Sequence, residues 1–153
     1  DQRKSILTST VEQFEPPYKN RLRLYECVED DTLLNNLPNH QFNLAIVYNY
    51  FNYRPVELIL KYLTALKSKI KPGGVLAFSY NNCDHAGAAM LVERNQATYV
   101  LSHTIRQHVK SLGFEIVIEQ TDEGSFYWME CQLPGELTSL RGGQCLAQIV
   151  PKY

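Results

Sequence analysis

Two groups of polar side chains directly follow apolar runs of the sequence, and these residue types could do chemistry. The first group comes after VLAFSY, residues 75–80, and comprises Asn81, Asn82, Asp84 and His85. Ligands of open α/β sheets bind outside the carboxyl ends of strands, so Asp84 or His85 could act there as a general base. A polar loop built around an Asx turn would use the same residue types without any chemistry.

The second group follows the apolar run LAIV, residues 44–47. Tyr48 and Asn49 come first, and Asn52 and Tyr53 follow a few positions later. Tyrosine rings and asparagine amides at the end of a strand could grip a planar base or an amide. The aromatic side chains of this segment could equally pack beneath the next helix.

The composition indicates a soluble globular domain without a strong charge bias. The chain has 153 residues and a net charge of −1, which does not indicate nucleic acid as a partner. No apolar run approaches the roughly 20 residues that span a bilayer. The four cysteines form no C-x-x-C pair, which predicts free thiols in a reducing compartment such as the cytoplasm. Cys83 and His85 are a single close pair, which is too few ligands to predict a metal site.

Hydrophobic periodicity predicts eight elements in the order α, β, β, α, β, α, β, β. The clearest is an amphipathic helix over 55–70, followed by a turn at Lys71–Gly74 and the apolar strand 75–80. Alternating strands and helices predict a mostly parallel sheet covered on both faces, and the last two strands predict an antiparallel hairpin. The remaining elements are a helix over 2–14, strands over 21–28 and 44–47, a helix from Ser102 to Gly113, and a hairpin over 114–133.

With the Lys71–Gly74 turn before a strand and Leu112-Gly113-Phe114 at a helix end, the chain resembles the later part of a class I S-adenosylmethionine-dependent methyltransferase. The resemblance covers residues 1–133, as a methyltransferase-like domain incomplete at its N-terminus, and leaves 134–153 as a C-terminal extension. It implies a partial doubly wound, mostly parallel sheet of Rossmann-like type with a C-terminal antiparallel hairpin.

The resemblance also implies roles for individual residues. Asp1 matches the acidic residue that accepts hydrogen bonds from the cofactor's ribose. Glu29 and Asp30 fall in the loop that contacts the adenine, and Tyr48 falls beside the methyl donor. The catalytic candidates near the methyl acceptor are Asn49, Asp84 and His85.

The chain departs from the family in two places. It contains no Gly-x-Gly, the glycine-rich turn through which the family's backbone approaches the cofactor. Asn43 stands where the family usually has Asp. We therefore expect no appreciable S-adenosylmethionine binding by these 153 residues alone. The family's first strand would lie beside LAIV, so an upstream part of the same protein or another chain is predicted to cover that sheet edge.

Two functions follow from these observations. The first is S-adenosylmethionine-dependent methyl transfer by the intact parent protein to an unknown acceptor. The alternative is a non-catalytic structural or interaction module that keeps the fold without the cofactor. The stretches SYNNCDHAG, residues 79–87, and PGELTSLRGGQCLAQIV, residues 134–150, also resemble methyltransferase-type domains in virion structural proteins of large tailed phages. The predicted location is therefore the cytoplasm, or a virion in the second case, with no membrane involved.

Overall fold

The structure is a computed structural model that describes residues 8–9, 11–16, 19, 22–30, 32–121 and 126–136. The chain divides into two compact units, Asp1–Pro38 and Asn39–Tyr153. The boundary expected between residues 133 and 134 stays a prediction.

The first unit contains part of the predicted N-terminal helix but not the predicted strand. Residues 8, 9, 11 and 12 are helical, within the helix expected over 2–14. The strand expected over 21–28 is wrong, because residues 22–28 form no strand. Leu22, Leu24 and Val28, its supposed buried face, are exposed. Alternation marks which side chains could share a face, but a strand also needs a hydrogen-bonded neighbour, which alternation does not provide.

The second unit contains four strands and three α-helices among its described residues. The first strand leads through a short 3-10 helix into the longest α-helix, and the last two strands form a hairpin. In chain order the elements are β1 (Phe42–Val47), the 3-10 helix (Phe51–Tyr53), α1 (Val56–Lys69), β2 (Ile70–Asn81), α2 (Ala86–Glu93), α3 (Ser102–Ser111), β3 (Glu115–Thr121) and β4 (Phe126–Gln132).

The four strands form one sheet in the order β1-β2-β4-β3. β1 and β2 are parallel, and β4 is antiparallel to both of its neighbours. β1, β2 and β3 therefore run in the same direction, and β4, which lies between β2 and β3, runs in the opposite direction. The predicted α/β architecture, a mostly parallel sheet that ends in an antiparallel hairpin, is confirmed.

β2 is the buried centre of this sheet. Every side chain from Leu76 to Asn81 is buried, as expected for a strand with neighbours on both sides and cover on both faces. The stripe of α1 that contains Ile59, Leu63 and Leu66 is buried as well. Burying each such side chain contributes about 1.5–3 kcal/mol to folding. The core therefore lies around β2 and fixes its carboxyl end at Asn81.

The predicted turn at Lys71–Gly74 is instead an irregular beginning of β2. Phe42 pairs with Ile70, but Leu44 already pairs with Val75, so β2 bulges between these two pairs. Gly73 has a φ of 75°, which favours glycine. A Cβ on Gly74 would lie 2.5 Å from the Ile70 Cγ2 atom, so the bulge leaves no room for a side chain there.

Candidate functional site

A cleft of about 220 Å³ opens where β1 and β2 end. Asn49 follows β1 by two residues and Asn81 is the last residue of β2, so both strands deliver a carboxamide to it. The side chains that line it carry no formal charge: Asn49, Asn52, Tyr53, Asn81, Leu91, Gln96 and Ala97. The cleft lies at the carboxyl ends of parallel strands, where open α/β sheets bind ligands.

Asn49 is held by its backbone. Its φ is 53°, in the left-handed region that asparagine tolerates better than most residues. Its N–H donates to the Ser79 Oγ over 2.7 Å, which ties the end of β1 to β2. Its Oδ1 accepts a 2.7 Å hydrogen bond from the Asn52 Nδ2. The Asn49 side chain is therefore positioned at the cleft by both strands and by the 3-10 helix.

Asn81 is held by its amide nitrogen, and its side chain is only 2% exposed. Nδ2 donates to the backbone carbonyls of Ala88 and Thr98, each over 3.1 Å, which identifies Nδ2 as the nitrogen. The opposite atom, Oδ1, is buried and has no hydrogen-bond partner among the described residues. Such an orphaned acceptor costs about 1–3 kcal/mol.

The Asn52 side chain has the same arrangement, with a nitrogen that donates a hydrogen bond and an oxygen that accepts none from the described residues. Its Nδ2 donates to Asn49, while its Oδ1 is buried without a partner among the residues described. Its backbone carbonyl accepts from the N–H of Thr98 over 2.9 Å and from the Thr98 hydroxyl over 3.1 Å. Thr98 thus connects Asn52 with Asn81. Asn52 and Asn81 therefore both line the cleft, and each has a buried acceptor oxygen without a partner among the described residues.

The structure places the other two catalytic candidates elsewhere, because Asp84 and His85 are not among the residues lining the cleft. The Asp84 Oδ2 accepts hydrogen bonds from the backbone N–H and the hydroxyl of Ser102, at the first residue of α3. The hydroxyl bond is the largest cause that holds the pKa of Asp84 below its ordinary value. A carboxylate stabilised in this way is a poor proton acceptor. His85 precedes α2, with its ring 6.3 Å from that of Tyr127.

Asp84 belongs to a charged group that we call the arginine cluster: Asp84, Ser102, Arg106, Glu119 and Tyr127. Arg106 donates to both carboxylate oxygens of Glu119, Nε to Oε1 over 2.6 Å and Nη2 to Oε2 over 2.9 Å. Nη1 reaches the Ser102 Oγ over 3.0 Å, and Nη2 reaches the Tyr127 Oη over 2.9 Å. Burial is the main reason why the pKa of Tyr127 is raised. Every member of the cluster thus has a partner inside it.

Tyr80 packs beside this cluster, with its ring 5.1 Å from that of Tyr127. It is fully buried, and its Oη has no partner among the described residues. Burial raises the pKa of Tyr80, so the hydroxyl stays neutral. Tyr80 does not line the cleft. Sequence reasoning missed Arg106 and Glu119, which lie on a helix and a strand and share no motif.

The residues predicted to hold the cofactor are distributed over both units. Asp1 lies outside the described residues. Glu29 and Asp30 belong to the first unit, where the Asp30 Oδ1 accepts from the N–H of Thr32 over 2.7 Å and from its hydroxyl over 2.5 Å. These bonds lower the pKa of Asp30. Tyr48, in the second unit, is 67% exposed, with its ring 6.4 Å from Trp128. Their cofactor contacts stay predictions.

Two further properties concern the described part of the chain. Within it, no three His, Cys, Asp or Glu side chains come close enough together to hold a metal ion. None of the helices described there combines the length and the apolar character needed to cross a membrane. Cys27, Cys83 and Cys131 carry free thiols, and burial raises the pKa of Cys131 to about 12.

The sequence matches no protein-family model and no curated protein. Solved structures, by contrast, show clear similarity. A methyltransferase of Mesorhizobium loti, S-adenosylmethionine-dependent, is 12% identical with a TM-score of 0.65, over 86% of this chain and 77% of that one. A second such enzyme, from Methanosarcina mazei, is 11% identical with a TM-score of 0.66, over 89% and 81%.

A possible exported protein of Bordetella parapertussis is 12% identical with a TM-score of 0.69. The similarity covers 88% of this chain, which spans about half, 52%, of that protein. At these identities the similarity concerns the fold alone. The chain therefore has the Rossmann-like fold of the S-adenosylmethionine-dependent methyltransferases.

Proposed function

We propose that this chain forms the acceptor-binding part of an S-adenosylmethionine-dependent methyltransferase. The observation that carries the proposal is the uncharged cleft at the carboxyl ends of β1 and β2, in a fold shared with such enzymes. Asn49 lines this cleft, its backbone is tied to Ser79, and its side chain would orient the acceptor. Its contribution is positioning, which supplies a large part of the rate in group transfer.

The described residues do not by themselves fit the whole cofactor. S-adenosylmethionine would supply an electrophilic methyl group, and the fold normally approaches it through a glycine-rich turn. The sequence contains no Gly-x-Gly, and the residues that line the cleft include no acidic side chain for the ribose hydroxyls. We therefore keep the expectation that these 153 residues alone do not bind it appreciably.

The position of β1 at the edge of the described sheet supports the proposal that a further strand pairs with it. β1 is an edge strand of the described sheet, and Ile46 in it is 55% exposed, whereas the last six residues of β2 are all buried. An apolar strand with an open edge is an aggregation hazard that native proteins cover. The proposed partner is a further strand, from an upstream part of the same protein or from another chain, which brings the glycine-rich turn with it.

Calorimetry tests whether S-adenosylmethionine binding requires the further strand and its glycine-rich turn. S-adenosylmethionine titrated into the 153-residue chain is expected to give no binding heat, whereas the protein completed by the missing strand and turn is expected to bind it. In the completed protein, Asn49→Ala should lower methyl transfer and leave cofactor affinity unchanged. Micromolar binding by the 153-residue chain, abolished by Asp1→Ala and unaffected by the control Glu57→Ala, would show instead that the site is already complete.

The alternative function is an interaction module that keeps the fold without chemistry. The absent Gly-x-Gly and Asn43, where the family usually has Asp, favour it. The virion role suggested by residues 79–87 and 134–150 belongs to this alternative, and most of the second stretch lies outside the described residues. A completed protein that binds no S-adenosylmethionine, yet assembles stably with another chain through β1, would favour the module over the enzyme.

A further inference from the structure

We infer that Ser79 is a positioning residue of the cleft, because its buried hydroxyl holds the Asn49 backbone in the conformation that directs the Asn49 side chain to the cleft. The inference rests on the proposed function in one respect, namely that Asn49 would orient the methyl acceptor. Three observations support the role, and they concern the environment of Ser79, the backbone of Asn49 and the end of the pairing between β1 and β2.

Ser79 places a hydroxyl in a buried, largely apolar stretch of β2. It is fully buried, and so are its neighbours in the strand, Phe78 and Tyr80. A buried hydroxyl is costly unless it is hydrogen-bonded, and the Ser79 Oγ accepts a 2.7 Å hydrogen bond from the Asn49 N–H. Packing alone would be served by an alanine at this position, so the bond to Asn49 explains the hydroxyl.

The Asn49 backbone has a conformation that needs support. Its φ of 53° lies in the left-handed region, which is uncommon for a residue with a Cβ atom. Residues stay in such sparsely populated regions only where the surrounding structure holds them. The bond to Ser79 fixes the peptide plane that precedes the Asn49 Cα atom, and the 3-10 helix that begins at Phe51 fixes the chain that follows it. Because φ is the rotation about the N–Cα bond, a return to a negative φ would point the Asn49 side chain in another direction.

The bond lies where the backbone pairing between β1 and β2 ends. Val47 is the last residue of β1, and it pairs with Phe78. Two residues further along, the Asn49 N–H bonds to the Ser79 hydroxyl, and Asn49 is the first residue after β1 that lines the cleft. Asn81, two residues after Ser79, lines the same cleft. The bond therefore joins the two strand ends that form the cleft, at the point where the chain leaves the sheet.

NMR spectroscopy of the 153-residue chain without cofactor tests this role. A positive φ brings the amide and α protons of a residue close together, so wild-type Asn49 should give a strong NOE between them. Ser79→Ala should lose this strong NOE and shift the Asn49 side-chain amide signals. The control Ser111→Ala removes an exposed hydroxyl that donates to the His108 carbonyl, and it should change neither. If Ser79→Ala lowers the free energy of unfolding but leaves the Asn49 signals unchanged, the hydroxyl only stabilises the fold, and the inference is overturned.

Two conservative variants separate the effect of the hydroxyl from that of the side-chain volume. Ser79→Thr keeps the hydroxyl and should keep the strong Asn49 NOE. Ser79→Cys keeps nearly the same volume but offers only a weak sulfur acceptor, so it should behave like Ser79→Ala. If the added methyl group of Ser79→Thr prevents folding, Ser79→Cys still decides, because an unchanged Asn49 NOE in that variant would contradict the role of the hydroxyl.

Methyl transfer by the protein completed by the further strand tests the consequence for function. Ser79→Ala should lower kcat/KM for the acceptor about tenfold or more, because misplacement of a positioning group costs that much, and should leave the Kd of S-adenosylmethionine unchanged. In an Asn49→Ala background the same substitution should lower kcat/KM less than about twofold, since Ser79 acts through a side chain that is already absent. Equal losses in both backgrounds would contradict the inference. A completed protein without any methyl transfer contradicts only the proposed function, because the NOE measurements decide the role of Ser79 without it.

Discussion

The cleft and the arginine cluster are both polar, and both lie near the carboxyl end of β2, yet their hydrogen bonds are distributed differently. In the cluster, Arg106 alone bonds to three neighbours, and all five members have partners within it. At the cleft, the side-chain nitrogens of Asn52 and Asn81 donate hydrogen bonds, whereas their buried side-chain oxygens have no partner among the described residues. The uncharged pair thus has buried oxygens without a partner among the described residues, whereas every member of the charged group has a partner within it.

This difference has a physical basis. A saturated ion pair and its hydrogen bonds hold α3 against β3 and β4, and a ligand there would have to break bonds that already exist. An orphaned buried acceptor, by contrast, costs about 1–3 kcal/mol for as long as it has no partner. Three experiments can break or sharpen this comparison, and the largest effect is expected in the cleft.

Replacement of Asn81 by Leu should destabilise the fold by about 1–3 kcal/mol, because two buried acceptors lose their donor while one orphaned acceptor is removed. The substitution removes the two donations to the carbonyls of Ala88 and Thr98 and leaves both acceptors without their donor. Chemical denaturation measures the free energy of unfolding, with the exposed Gln107→Leu as the matched control, for which a change within about 0.5 kcal/mol is expected. A loss below about 0.5 kcal/mol in Asn81→Leu would mean that its nitrogen does not hold the cleft together.

Replacement of Arg106 by Met should cost about 1 kcal/mol, less than its four hydrogen bonds suggest. The Arg106 and Glu119 side chains are 39% and 26% exposed, so solvent screens their attraction. Arg106→Lys should recover only part of the loss, because one ammonium group cannot reproduce the bidentate contact. A loss of about 3 kcal/mol or more in Arg106→Met would mean that the pair behaves like a buried ion pair, contrary to its exposure.

The sequence predicted the sheet well because the dominant signal there was burial. The uninterrupted apolar runs of β1 and β2, the stripe of α1 and the alternation of the hairpin each reflect how many faces of an element are covered. The alternation at residues 22–28 predicted a strand that does not form. Alternation indicates which side chains could share a buried face, but it does not show that a neighbouring strand is present to pair with. The Lys71–Gly74 sequence predicts a turn, but its glycines lie in a bulge inside β2.

The position of the cleft could be predicted from the sequence, but several of the residues that line it could not. Strand ends identified Asn49 and Asn81, since residues after buried parallel strands meet at one edge of the sheet. The choice of Asp84 and His85 as catalytic groups rested on the same strand end and on their residue types. Sequence spacing could not reveal that Ser102, eighteen residues later, donates twice to Asp84. Nor could it bring Gln96 and Ala97 to the cleft, because they follow α2 in an irregular segment.

Asp84 provides the smallest expected effect and the sharpest test of the comparison. If Asp84 only anchors α3, Asp84→Asn should cost about 0.5–1 kcal/mol at pH 7, the range of a partly exposed helix cap. The pKa of Asp84 is lowered on folding from its ordinary value of 3.8. Its contribution is therefore complete above that value and is lost as the pH falls through the lowered folded pKa.

Denaturation curves between pH 7 and pH 3 should accordingly show the wild type and Asp84→Asn converging in stability as the acid limit is approached. If the proposed function holds, methyl transfer by Asp84→Asn, in the protein completed by the further strand, should stay within about threefold of the wild type. Loss of a general base lowers the rate about 100-fold or more. A decrease of that size in a correctly folded Asp84→Asn variant would identify Asp84 as a catalytic base. The cluster would then be part of the active site, with the Asp84 carboxylate accepting the proton although its Oδ2 already accepts two hydrogen bonds from Ser102.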